Sequence, residues 1–192
     1  AGTITTTMND GSGNWGIYNH EGEFYNGSYN GSAAGTITTT MNDGSGNWGI
    51  YNHEVEFYNG SYDASGTITT TMKDGSGNWG IYNYEGEFYN GSNNGSGAGT
   101  ITTTMNDGSG NWGIYNYEGY FYNGSYDASA TGKIDISLNG GSGNQGIYNY
   151  DGYFYNGSGD GSAIGTITTT MKDGTGNWGI YNDGDGYFYN GS

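Results

Sequence analysis

Residues 2–28 read GTITTTMNDGSGNWGIYNHEGEFYNGS, and the same unit returns from Gly35, Gly66, Gly99, Gly132 and Gly165. Successive starts lie 33, 31, 33, 33 and 33 residues apart. A period of that size belongs to solenoids, propellers and other arrays of small supersecondary units. Residues 1–192 therefore read as a single repeat domain of six units, starting near 2, 35, 66, 99, 132 and 165.

The opening hexapeptide Thr3-Ile4-Thr5-Thr6-Thr7-Met8 is β-branched and alternates, which places Ile4, Thr6 and Met8 on one face and Thr3, Thr5 and Thr7 on the other. The fifth copy tests this assignment, because it reads Lys133-Ile134-Asp135-Ile136-Ser137-Leu138. Every polar replacement falls on the Thr3 face and every apolar one on the Ile4 face. Asn9-Asp10-Gly11-Ser12-Gly13 is a turn cluster, Asn14 to Asn19 a second strand carrying Trp15, Ile17 and Tyr18, and Glu23 to Tyr25 the start of a third. The connection at His20-Glu21-Gly22 takes one extra residue in the sixth copy, as a loop does, and Asn26-Gly27 has the chemistry of a type I′ turn.

Composition narrows the fold class to all-β. With 42 Gly and very few strong helix formers, no 15-residue window has useful helix propensity, and no apolar run is long enough to span a bilayer as a helix. The absence of Cys removes disulfides and thiolate chemistry. A net charge of −16, from three Lys against 19 acids, repels phosphate backbones, so neither nucleic acid nor membrane insertion is expected.

A unit of three or four short strands buries too little to stand alone, so the six must pack on one another. They could form a closed ring of blades or a linear stack of coils. Turns of two to five residues between successive strands favour antiparallel pairing. A six-bladed β-propeller of short antiparallel meanders is therefore expected, with a β-solenoid as the alternative. A linear stack would need polar end caps, and the first and sixth copies resemble the inner ones. A ring hides its own edges, so a monomer is expected.

The unit also resembles the tectonin or tachylectin-1 type of β-propeller lectin, through Asp10-Gly11, Trp15-Gly16-Ile17, Gly22 and Phe24-Tyr25, a likeness that recurs along the chain with Val55 in the second copy and Gly140 and Gln145 in the fifth as departures. That resemblance implies a propeller and glycan binding at loops between or on top of the blades.

The side chains point away from catalysis. His20 and His53 have Tyr84, Tyr117, Tyr150 and Asp183 as counterparts, and Glu23 becomes Tyr120, Tyr153 and Tyr187, so no fixed triad or carboxylate pair recurs. The run Asn9 to Asn14 has oxygen ligands on a Gly-rich loop but too few carboxylates for calcium, and reads as a turn. No metal or cofactor is expected. Trp15, Trp48, Trp79, Trp112 and Trp178 recur beside Asn14, Asn47, Asn78, Asn111 and Asn177, whereas the fifth copy has Gln145. A core seldom accepts Trp to Gln, so the indoles should be accessible. An aromatic face flanked by amides and carboxylates is what a pyranose ring uses.

The leading expectation is thus a multivalent lectin for glycans or glycoconjugates, acting by avidity. Its sites would be Asn14, Trp15 and Glu23 with Asn47, Trp48, Glu56, Asn78, Trp79, Glu87, Asn111, Trp112, Tyr120, Asn177, Trp178 and Tyr187. Tyr18 and Tyr25, present in every copy, read as partly buried residues with bonded hydroxyls. Two rivals depend on a linear stack: ice binding by the array of Thr3, Thr5 and Thr7, and an extracellular structural or adhesin role. The Asn-Gly-Ser sequons at Asn26, Asn30, Asn59, Asn90, Asn94, Asn123, Asn156 and Asn190 fit a secreted or extracellular chain, or serve as turns only.

Overall fold

The structure is a computed structural model that describes residues 1–126, 128–158 and 162–191. Each repeat contributes three strands. The first coil holds β1 (Gly2–Asn9), β2 (Trp15–Asn19) and β3 (Phe24–Asn26), and the second β4 (Gly35–Asn42), β5 (Trp48–His53) and β6 (Glu56–Ser61). The third holds β7 (Ala64–Lys73), β8 (Trp79–Tyr84) and β9 (Glu87–Asn90), and the fourth β10 (Gly99–Asn106), β11 (Trp112–Tyr117) and β12 (Tyr120–Asn123). The fifth holds β13 (Thr131–Asn139), β14 (Gln145–Tyr150) and β15 (Tyr153–Asn156), and the sixth β16 (Ile164–Lys172), β17 (Trp178–Asp183) and β18 (Tyr187–Asn190).

The chain is all-β with a six-fold repeat, but its strands do not pair within the repeat. Each pairs in parallel with its counterpart in the next coil, like residue on like: Thr3 on Thr36, Trp15 on Trp48, Phe24 on Phe57. Three parallel sheets result, β1-β4-β7-β10-β13-β16, β2-β5-β8-β11-β14-β17 and β3-β6-β9-β12-β15-β18. This is a β-solenoid, and the antiparallel blades of the propeller expectation are not formed. The connections read as hairpin turns are corners between sheets. Asp10, Asp43, Asp74, Asp107 and Asp173 take left-handed φ of 49–54° at the first corner, and Glu54, Glu85, Glu118 and Asp151 do so at the second. These residues redirect the chain without reversing it against itself. Ser12, Ser45, Ser76, Ser109, Ser142 and Thr175 are bridged in parallel along the first corner. Short antiparallel contacts occur only at the third corner: Gly60 with Ser65 and Ser61 with Ala64, where the 31-residue coil shortens its last loop, and single bridges of Gly27 with Ala34 and Gly91 with Ala98 among the described residues.

The alternation read from the sequence holds. In β4, Ile37, Thr39 and Met41 are buried while Thr36, Thr38 and Thr40 are partly exposed. Inside, Ile37, Ile68, Ile101 and Ile134 form one apolar column, Met41, Met72, Met105 and Leu138 another, and Phe57, Phe88, Phe121 and Phe154 stack with centroids 4.7–4.8 Å apart. Burial of one such side chain is worth about 1.5–3 kcal/mol.

The interior also holds columns of asparagine. Asn52 Nδ2 donates to Asn83 Oδ1 at 2.9 Å, Asn83 to Asn116 at 2.8 Å and Asn116 to Asn149 at 2.7 Å, all with 0 % exposure. A second column runs from Asn26 through Asn59, Asn90, Asn123 and Asn156 to Asn190. Asn26-Gly27 is therefore the end of a strand and the first rung of a ladder, not a hairpin turn. The amides of the first column also donate to corner carbonyls, as Asn116 does to Gly119 at 2.8 Å, and those of the second to strand carbonyls, as Asn59 does to Thr100 at 3.0 Å. A small core thereby satisfies the backbone it buries. Among the described residues no helix is long and apolar enough to cross a membrane.

Candidate functional site

The solenoid offers three outer faces. On the first, Thr3, Thr36, Thr67 and Thr100 form one column, Thr5, Thr38, Thr69 and Thr102 a second, and Thr7, Thr40, Thr71 and Thr104 a third. Neighbours within a column are one strand apart, roughly 4.8 Å, and neighbouring columns are two residues apart, roughly 6.6 Å. The columns carry no charge through the first four coils. In the fifth they become Lys133, Asp135 and Ser137, with Lys133 Nζ 2.6 Å from Asp135, and the sixth restores Thr166, Thr168 and Thr170.

The second face is aromatic. Trp15, Trp48, Trp79 and Trp112 point outward, as the Gln145 substitution indicates, but they lie on one another with centroids 4.8–5.3 Å apart and planes within 12°. Their ring faces are thus occupied by neighbouring repeats, leaving edges to solvent in the middle of the column. Tyr51, Tyr82, Tyr115 and Tyr148 stack beside them in the same way, 4.8–5.1 Å apart. Parallel register puts identical rings one strand spacing apart, close to the separation that stacked rings adopt. A sugar seeking a ring face finds one at the ends of the column, on Trp15, or where Gln145 interrupts it.

The residues grouped as glycan sites do not converge. The Asn14 series faces inward: Asn47, Asn78 and Asn111 are 1 % exposed, and each side-chain oxygen accepts the backbone N–H of its counterpart in the preceding coil at 2.9–3.0 Å. Their amides also hold corner carbonyls, Asn47 to Gly11 at 3.0 Å and Asn78 to Gly44 at 3.0 Å. Asn14 and Asn177 end this column, and Asn177 accepts from the N–H of Asn144 at 2.8 Å. Glu56 and Glu87 open strands of the third face, where each accepts a hydrogen bond from the hydroxyl of Tyr58 or Tyr89; Glu23 accepts from Tyr25. Tyr120 and Tyr187 stand in that column and stack on Tyr153. A whole second strand, Trp48 to His53, separates each indole from the carboxylate of its own coil. At about 3.3 Å per residue the gap exceeds the width of one sugar ring.

Six of the eight sequon asparagines, Asn26, Asn59, Asn90, Asn123, Asn156 and Asn190, belong to the ladder, where Asn190 is exposed as its last rung; Asn30 and Asn94 stand outside it and are exposed. The ladders were the functional chemistry that motif reading missed. Their signal was an Asn ending both the Trp and the Phe strand in every copy.

Burial raises the pKa of several tyrosines in the middle of the second and third faces. Tyr82 and Tyr115 are raised by desolvation and then by neighbouring hydroxyls, Tyr58 and Tyr89 by desolvation and then by the carboxylates they bond. Tyr148 is pushed up to about 12, by desolvation and then Asp183. Unfolded tyrosine titrates near 10, so this contribution to stability is complete below about pH 10 and is lost as the pH climbs through the folded values. Alkaline titration should therefore show tyrosinate absorbance lagging behind free tyrosine, then rising together with loss of the β-sheet circular dichroism. Absorbance that follows free tyrosine, with the sheet intact, would contradict this burial.

No protein-family model, characterised protein or solved structure matches this chain.

Proposed function

We propose that the threonine face binds ice. The observation that carries this reading is the uninterrupted array of twelve outward threonines, three on each of β1, β4, β7 and β10, set in register by parallel pairing. Each threonine presents a methyl and a hydroxyl, so the array combines apolar surface with hydroxyls at fixed positions. Water held over it takes the repeat of the sheet, and that repeat is on the scale of the ice lattice. The inner ladders and the closed coil keep the spacing rigid, which spares the entropy of ordering the surface on contact. Many weak contacts at fixed spacing act together on a crystal that a soluble ligand could not engage. In a chain of net charge −16, this region is uncharged, which avoids stripping hydration from ions.

The test is thermal hysteresis with site-directed variants. Thr69→Lys, at the centre of the array, should reduce hysteresis several-fold with an unchanged circular dichroism spectrum. Replacing Lys133, Asp135 and Ser137 together by Thr extends the array through all six coils and should raise it. A folded wild-type chain without hysteresis rules the reading out, and binding on a glycan array in that case returns the carbohydrate reading, with Trp15 at the end of the aromatic column as its platform.

A further inference from the structure

Within the 192-residue chain the first and sixth coils each leave one face without a neighbouring coil among the described residues. Ile37 and Ile68 are fully buried, whereas their counterpart Ile4 in the first coil is 39 % exposed; Met41 is fully buried, whereas Met171 in the sixth coil is 53 % exposed. Ile164 and Ile180 are exposed at the same end. Among the described residues nothing lies over either end, and the recesses of the molecule gather there. One of about 370 Å³ is lined by Ile4, Phe24, Tyr25 and Asn26 at the first coil, and one of about 190 Å³ by Asn156, Ile164 and Asn190 at the last. Strand edges left in this state are templates for further pairing.

We propose that these ends bind each other in separate copies of this chain, the sixth coil of one copy stacking in register on the first coil of the next. Three observations select a second copy as the occupant. The end sequences are the same: Gly165 to Met171 repeats Gly2 to Met8, Trp178 to Asn182 repeats Trp15 to Asn19, and Phe188 to Asn190 repeats Phe24 to Asn26. The joint therefore reproduces the like-on-like pairing that the chain makes with itself between every pair of coils.

The second observation is the polarity of the asparagine ladders. In every rung the earlier coil donates and the later coil accepts, as in Asn19 to Asn52 at 2.9 Å and Asn156 to Asn190 at 2.7 Å. The first coil thus ends on the acceptors Asn19 Oδ1 and Asn26 Oδ1, and the last on the amides of Asn182 and Asn190. Donors at one end meet acceptors at the other. Two first coils face to face would set acceptor against acceptor.

The third is the fit of the remaining groups. Lys172 would fall beside Asn9, a pairing that Lys73 already makes with Asn106. Asp183 would meet His20, and Trp178 would cover the open face of Trp15. The contact uses different surfaces on the two partners and does not close, so it yields an open filament. The strong net negative charge opposes the joint, and salt screens that repulsion.

Sedimentation of the 192-residue chain over a range of concentration and salt tests the proposal. The mean mass should rise several-fold with concentration, and further with added salt. Two variants define the geometry: Ile4→Lys buries an unpaired charge in the first-coil surface, and Met171→Lys in the last-coil surface. Each alone should stay monomeric, whereas an equal mixture should give one-to-one dimers and nothing larger, because each variant keeps one working end. The dimer itself shows that both variants are folded. A wild-type chain that stays monomeric throughout overturns the proposal without recourse to any variant. Association of either variant alone to the wild-type extent overturns the head-to-tail geometry. Neither result bears on ice binding, which is read on monomers.

Discussion

Asn116→Leu should destabilise the chain by about 3 kcal/mol or more, although the change is close to isosteric and removes no apolar contact. Asn116 Nδ2 donates to Asn149 Oδ1 at 2.7 Å, to Gly119 O at 2.8 Å and to Tyr153 O at 3.2 Å, and its oxygen accepts from Asn83 at 2.8 Å. The substitution leaves Asn149 Oδ1 buried without its donor, at a cost of about 1–3 kcal/mol, and removes one of the two hydrogen bonds to the Gly119 carbonyl, which keeps the Tyr153 N–H at 2.9 Å. Asn83 retains Gly86 at 2.8 Å and Tyr120 at 3.1 Å, so the damage falls mainly on the later coil. Stability in such an array is a sum of coil and interface terms. A break in the fourth coil should therefore separate unfolding of the two sides, seen as a broadened or biphasic urea transition. A midpoint within error of wild type would mean that the ladders are incidental.

Gly113→Ala should be at least as damaging, with a loss of more than about 4 kcal/mol. Gly113 is buried, and a methyl placed on it would lie 2.6 Å from the backbone oxygen of Gly146 in the next coil and 3.4 Å from Thr103 Cγ2. The oxygen belongs to a paired strand and cannot swing aside, so β11 and β14 must separate. Gly22→Ala is the control: nothing lies within 4 Å of its new methyl, and its effect should stay within about 0.5 kcal/mol. Equal midpoints for the two variants in urea would show that the coils do not approach so closely at Gly113.

The six-fold repeat of strands, the inward and outward faces of the first strand and the places where the chain turns were legible in the sequence. Ile134, Ile136 and Leu138 against Lys133, Asp135 and Ser137 settled the faces, because alternation follows from the pleat whichever strand lies alongside. The pairing partner was not legible for the same reason. A period of two does not distinguish a strand beside its sequence neighbour from one beside its counterpart 33 residues away, and Asp10-Gly11 serves a corner as well as a hairpin. The informative feature was the sameness of the copies, which parallel register requires so that Asn meets Asn and Phe meets Phe. The indoles illustrate how far a site could be read: Gln145 correctly marked that column as outward, but not that the rings cover one another. The grouping of Trp48 with Glu56 assumed a hairpin that would fold them together, and without it the length of β5 and the second corner lie between them.

The central claim is that equivalent residues of the six repeats lie in a line, and the chain suits a direct measurement because it contains no native Cys. Spin labels on Thr5→Cys and Thr168→Cys, diluted into unlabelled chain, report the distance between the first and sixth coils. Five parallel steps of about 4.8 Å place the two backbones about 24 Å apart, farther than the labels of a Thr5 and Thr102 pair. A closed ring would make the first and sixth repeats neighbours, and a Thr5 to Thr168 distance no longer than that between adjacent repeats would contradict the solenoid.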